Sequence, residues 1–160
     1  MGLELLRQRL QQSSLLPLCF LTGRIEATMA QLADDAERLG ALLGRPGLID
    51  SDTGRTEIRL NSLGLELAIA ALPSATIDDL AGSVLGPLSA TLNETARVFL
   101  RSELSISGAA RELGVHRNTL VQRLDRIELL TGLNLRQFNA AVQMRVAVAA
   151  EAARYVRDAQ

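Results

Sequence analysis

Lysine and tryptophan are absent from this chain, and cysteine, histidine and tyrosine occur once each. The single Cys19 excludes an intrachain disulfide, and one Cys with one His cannot make a Cys/His zinc site within a chain. Aromatic residues are 2 % of the sequence, so its 48 % apolar content rests on Leu and Ala. Residues that favour sheets are scarce by comparison, and the composition predicts a mainly α protein. The lack of Lys is read as a matter of base composition and carries no functional weight. Long apolar runs are also missing. Leu15 to Leu21, LLPLCFL, is too short to span a bilayer. No small-x-small cleavage site follows it, and Leu18 before Cys19 is wrong for lipid attachment. Cys19 therefore reads as a buried structural residue in a helix, and the protein as cytoplasmic with no membrane partner.

Catalytic signatures are missing as well. Gly44-Arg45-Pro46-Gly47 lacks the Lys-Ser/Thr ending of a phosphate-binding loop. The acid pairs Asp34-Asp35 and Asp78-Asp79 fall on exposed helical segments, where they cap or solvate. A Ser–His–acid triad would have to recruit His116, which stands at the mouth of a helix. The chain reads as no enzyme, with no cofactor, no metal site and no signature of a small-molecule effector. Net charge is −1. Residues 1–89 nevertheless carry 7 Arg against 11 acids, whereas residues 90–160 carry 10 Arg against 7 acids. The positive half is the one that a nucleic acid would attract.

That half contains Ser105 to Gly132, SISGAARELGVHRNTLVQRLDRIELLTG. Ser105, or Ser107, can cap a helix whose apolar stripe is Ile106, Ala109, Ala110 and Leu113. Gly114 follows where a chain leaving a helix turns left-handed. Ala109 and Ala110 permit a close crossing, and Val115 plugs the corner. This is the mechanical content of a helix-turn-helix. The second helix runs from about Arg117 to Leu130, with Leu120, Leu124, Ile127 and Leu130 on its apolar face. Its opposite face carries Arg117, Asn118, Val121, Gln122 and Asp125, with Arg123 and Arg126 on the flanks. Arg can grip guanine, and Asn or Gln adenine, with two hydrogen bonds. An ordinary helical hairpin with a solvated face is the blander reading of the same pattern.

Outside this stretch, Leu3, Leu6 and Leu10 predict a short helix over residues 3–12. Ile25, Met29, Leu32, Ala36, Leu39 and Leu43 alternate spacings of four and three, as a core face or a dimer seam would. Gly44-Arg45-Pro46-Gly47 ends that helix. Residues 48–60 are the only candidates for strands: 48–50 and 56–60 around Ser51-Asp52-Thr53-Gly54, a small β-hairpin. A helix over about Leu63 to Leu72 follows, then another from Pro73-Ser74 to Gly86-Pro87. A last helix spans about Arg136 to Arg157, with Phe138, Val142, Val146, Ala149, Ala153 and Val156 on its apolar face. The expected architecture is a helical bundle containing a helix-turn-helix.

Val115-His116-Arg117-Asn118-Thr119-Leu120, followed by Arg123-Leu124 and Arg126-Ile127-Glu128, resembles the C-terminal helix-turn-helix of PucR/CdaR-type regulators, a domain similar to the Fis type. Leu85-Gly86-Pro87-Leu88 and Thr131-Gly132-Leu133 extend the resemblance over roughly Leu85 to Val148. It implies a bacterial DNA-binding domain, with His116, Arg117, Asn118, Thr119 and Arg123 at DNA-facing or helix-opening positions. Val121, Gln122 and Asp125 stand where such proteins commonly carry basic or aromatic residues, and Asp125 is expected to repel phosphates. More faintly, Leu39 to Leu48 and Leu63 to Leu67 resemble the end of the GGDEF-like domain that precedes this one in CdaR-type regulators. No GGDEF string occurs.

The sequence thus predicts two domains: residues 1–84, a helical region that is a GGDEF-like remnant or a dimerisation region, and residues 85–160, the helix-turn-helix. The expected partner is double-stranded DNA and the expected assembly a homodimer. Arg117, Asn118 and Gln122 are the candidate base readers. Thr119, Arg123 and Arg126 are to hold phosphates or support the helix, with His116 at its start. The competing reading is an interaction module that pairs with other regulator subunits without touching DNA.

Overall fold

The computed structural model describes residues 9, 20–22, 28–49, 57–59 and 62–154. The expected helix over residues 3–12, the setting of Cys19, the turn at 51–54 and Val156 lie outside the described residues.

Strand β1 (Phe20–Thr22) pairs in parallel with β2 (Glu57–Arg59), Leu21 opposite Ile58. Helix α1 (Met29–Leu43) connects them, which makes a βαβ unit. Six more helices follow among the described residues: α2 (Gly64–Ala70), α3 (Ser74–Leu85), α4 (Ala90–Arg101), α5 (Ile106–Glu112), α6 (Arg117–Thr131) and α7 (Phe138–Arg154). The protein is mainly helical, as composition predicts, but the described residues of the stretch 48–60 form no hairpin. Its second arm pairs with β1 instead. Its first arm begins with a 3-10 turn, Pro46–Leu48, in which the amides of Leu48 and Ile49 donate to Arg45 and Pro46 carbonyls at 3.0 Å. Pro46 fixes the turn's first φ, and the amide of Leu48 is spent locally before any strand could use it.

The apolar positions sort into two cores. Phe99, Leu120, Leu124, Ile127, Leu135 and Met144 fill the first, among α4, α5, α6 and α7. Leu42, Leu48, Ile69, Ile77, Ala81 and Ala150 lead the second, among α1, α2, α3 and the far end of α7. α7 therefore belongs to both. A helix flanked on two sides buries its small residues, and Ala141, Met144, Ala147, Ala149, Ala150 and Ala153 are all buried. The apolar face expected for it is correspondingly rotated: Phe138 is 76 % and Val142 44 % exposed. The stripe expected on α1 is also turned out, with Met29, Leu32 and Leu43 exposed while Leu42 and Asp35 are buried. Asp35 is thus no solvated acid.

Long-range polar contacts position the second core. Pro73 turns the chain by 118° between α2 and α3. Arg45 reaches back to the freed carbonyls at the end of α2, donating from Nη1 to Ile69 at 3.1 Å and from Nη2 to Leu72 at 2.9 Å. Gly47 rests on α7 so closely that a β-carbon there would stand 2.2 Å from the Ala152 carbonyl oxygen. Arg145–Glu66 at 2.8 Å and Arg154–Asp78 at 2.9 Å tie α7 to α2 and α3.

Candidate nucleic-acid interface

α4, α5 and α6 each start where the sequence supplies a cap. Ser89 accepts from the Leu92 amide at 3.4 Å to open α4. Ser105, the first of the two candidate caps, accepts from the Gly108 amide at 3.1 Å to open α5. Between them the chain passes through Glu103 and Leu104 at φ 53 and 60, a left-handed pair that bends α4 into α5. Gly114, at φ +64, makes the next turn without strain. The Val115 amide then returns to the Ala110 carbonyl at 3.0 Å. Val115 packs against the first core beside fully buried Ala109. α4, α5 and α6 are thereby held in the crossed arrangement that the Gly–Val corner predicts.

Arg101 links α4 to α5. Its guanidinium pairs with the Glu112 carboxylate, which also accepts from Ser102 Oγ at 3.2 Å. The Arg101 hydrogen bond, assisted by Ser102 and opposed by desolvation, holds the Glu112 carboxyl below its ordinary value.

Within α6, Leu120, Leu124 and Ile127 face the core with at most 1 % exposure, so the other side of the helix is what a ligand meets. His116 is the N-cap: its Nδ1 accepts from the Asn118 amide at 3.2 Å. The imidazole therefore closes the helix start. Arg117, Asn118, Gln122 and Arg126 are exposed. Among the described residues, their side chains form no hydrogen bond or ion pair. Helical spacing puts Asn118, Gln122, Asp125 and Leu129 on one outer face, with Arg117 and Arg126 at its edges. Thr119 is half-buried. Arg123 is half-buried too, and its Nη1 donates to Thr95 Oγ1 of α4 at 3.4 Å. The structure thus brings Arg117, Asn118, Gln122 and Arg126 to solvent, whereas Arg123 leans back onto the domain.

One neighbour of this face was not legible in the sequence. Arg136, past the end of α6, donates from Nη2 to Asp125 Oδ1 at 2.7 Å and to the Val121 carbonyl at 3.3 Å. Asp125 is therefore paired with a cation, not the bare charge its position on the helix implies. No spacing rule connects residues 125 and 136. The pairing follows from the left-handed turn at Gly132, φ 74, which folds the chain back along α6.

A crossed helix pair with a capped second helix, whose outer face is polar and whose inner face is core, defines a helix-turn-helix domain. Residues 92–150, which span α4 to α7, match the family model of the PucR C-terminal helix-turn-helix domain. The C-terminal half of the chain is thus similar to the helix-turn-helix domain of PucR-type transcription regulators. Two curated proteins of Bacillus subtilis (strain 168) are similar. The uncharacterized protein YsfB is 31 % identical over 96 residues, which cover 59 % of this chain and 26 % of that protein. The purine catabolism regulatory protein is 36 % identical over 58 residues, 36 % of this chain and 11 % of that protein. The chain thus matches about a quarter of the first relative's length and about a tenth of the second's. No solved structure matches it. Among the described residues, no single helix is long and apolar enough to cross a membrane, and no group of His, Cys, Asp and Glu could hold a metal ion.

Proposed function

We propose that this protein is a cytoplasmic transcription regulator that binds double-stranded DNA as a homodimer, laying α6 in the major groove. The observation that carries the reading is the outer face of α6, where Arg117, Asn118, Gln122 and Arg126 stand exposed on a helix anchored by Leu120, Leu124 and Ile127. A recognition helix needs this division, because its first polar residues must reach base edges while its apolar side holds it to the domain. In this reading Arg117, Asn118 and Gln122 contact bases. Arg126 and Thr119 contact phosphates, Arg123 supports the helix through Thr95, and His116 shapes the helix start that meets the backbone. Two copies would place two such helices about 34 Å apart, in successive major grooves.

For the region before residue 85, the proposal is the closing part of a GGDEF-like domain of the CdaR type. Its support is the βαβ unit with parallel strands, since parallel pairs belong to α/β layers and seldom stand alone. The exposed Met29, Leu32 and Leu43, at heptad spacing on α1, support a role for the same region in pairing two copies.

The test is fluorescence anisotropy of the purified protein with a random-sequence duplex across a salt series, followed by selection of a preferred site. Affinity should fall steeply with salt, by a slope that counts phosphate contacts. Arg117→Ala should cost roughly 1–3 kcal/mol at a selected site and relax specificity there. Absence of binding even at low salt, with Arg117→Ala indistinguishable from wild type, would replace this reading by that of a protein-pairing module.

A further inference from the structure

Arg136 occupies a place that the DNA-binding face of α6 leaves unexplained. Leu135, 1 % exposed, pins the backbone beside it into the first core. Asn134 fixes the turn, its Oδ1 accepting from the Arg136 amide at 3.1 Å and its carbonyl from the Gln137 amide at 2.8 Å. The side chain then runs back along α6. Its Nη2 meets the Val121 carbonyl and Asp125 Oδ1, and its Nη1 stands 3.9 Å from Glu128 Oε2. Val121, Asp125 and Glu128 follow one another at spacings of four and three, along about two turns of α6, so the guanidinium is laid lengthwise against the helix. That line of residues flanks the outer face next to Asn118, opposite the edge that carries Gln122 and Arg126. Its Nε–H has no acceptor among the described residues, and the side chain remains 31 % exposed.

We infer that Arg136 is itself a DNA-contacting residue, donating to a duplex backbone phosphate beside α6, and that Asp125 is the positioning residue that holds it there. This rests on the DNA-binding reading above and adds to it. A guanidinium has five donors in a planar fork, so one already bonded through Nη2 can still donate to a phosphate through another edge. Holding it in place before binding removes the rotamer freedom that a long side chain otherwise loses at an interface. Asp125 thereby changes sign of effect. Taken alone, a carboxylate near a phosphate repels it; with Arg136 seated on it, the pair presents an oriented donor. Arg123 is engaged with Thr95 on the other side of the helix, which leaves Arg136 as the arginine that the fold fixes next to the outer face.

The full chain, wild type and four variants, is titrated by anisotropy with the same duplex across the salt series, and each variant is checked for its melting curve. Arg136→Ala should weaken binding on the order of tenfold, equally for all sequences, and reduce the log–log salt slope by about 1. Arg136→Lys should keep the slope and recover part of the affinity, because the charge remains. Asp125→Ala should weaken binding, and Asp125→Asn, which keeps an acceptor for the guanidinium, should weaken it less. A purely structural clamp would lower the melting temperature of Arg136→Ala and leave its slope unchanged, which overturns the inference. Tighter binding by Asp125→Ala overturns it too, since Asp125 would then be acting only by repulsion. If Arg117→Ala is impaired while Arg136→Ala keeps the wild-type slope, the DNA reading stands and this one fails. Wild type without salt-dependent affinity removes both.

Discussion

Around the first core, three helix starts are closed by a side chain two or three residues away: Ser89 for α4, Ser105 for α5 and His116 for α6. Around the second core, α1 opens with a capping box between Thr28 and Gln31, but α2 and α3 begin without any side-chain cap. What closes that region comes from far along the chain. Arg45 reaches carbonyls 24 and 27 residues away, and Arg145 a carboxylate 79 residues away. The first core also interlocks large side chains, Phe99 against Leu120, Leu124 and Met144, whereas the second contains many alanines and a direct approach of Gly47 to backbone. One half is specified locally and the other by long-range fit. Both use α7 as a wall.

The largest expected effect tests the packed half. Leu124→Ala removes a side chain that is 1 % exposed in the first core, and should cost about 2–5 kcal/mol in urea unfolding followed by circular dichroism. A cost below that range would mean that the first core is no more tightly packed than the second. Next comes the long-range half. Gly47→Ala brings a β-carbon to 2.2 Å from the Ala152 carbonyl oxygen, and overpacking of this kind should destabilise by about 1–3 kcal/mol. Hydrogen exchange should then lose protection first in α2 and α3, with α5 and α6 retaining theirs. Equal loss in all four helices would show the two cores to be one cooperative unit, and would erase the contrast drawn between them.

The same contrast explains what could be read before the fold was known. α5 and α6 follow from Ser105, Gly114 and the spacing of Leu120, Leu124 and Ile127, because caps, left-handed turns and apolar period are signals contained within a few residues. The start of α6 at Arg117 and the exposure of Asn118 and Gln122 follow equally. The second region misleads for a physical reason. Leu48-Ile49 alternates like a strand, yet Pro46 and the approach to Ala152 turn it into a 3-10 bend. The stripe on α1 has clean heptad spacing, but that spacing alone does not separate a core face from a dimer seam, and Met29, Leu32 and Leu43 stand exposed. On α7 the periodicity holds at Ala149 and Ala153, which are buried, and fails at Phe138 and Val142, which are exposed. Arg136 was missed for the same reason as Arg45: its partners are brought to it by a fold-back, and no local rule states them.

Two smaller changes probe the local half further. Ser105→Ala removes the cap of α5 and should cost about 1 kcal/mol, restored by Ser105→Asp, in thermal unfolding. The least effect concerns Glu112, whose carboxyl Arg101 holds below 4.5. A carboxyl lowered in the folded state stabilises above its unfolded value and ceases to do so as pH falls through the folded one. Wild type should therefore melt slightly above Glu112→Gln at neutral pH, and the gap should close in acid. A gap that persists in acid would assign the α4–α5 link to contacts other than this ion pair.

His116 gives α6 an internal reporter. Because Nδ1 accepts the Asn118 amide, the neutral ring must carry its proton on Nε2, and the chain has no second histidine to confuse the assignment. A single imidazole signal in a ring-nitrogen NMR spectrum therefore reads one tautomer at one helix start. Duplex added to the sample will either leave that signal in place, with the cap intact on DNA, or shift it as Nδ1 gives up the amide.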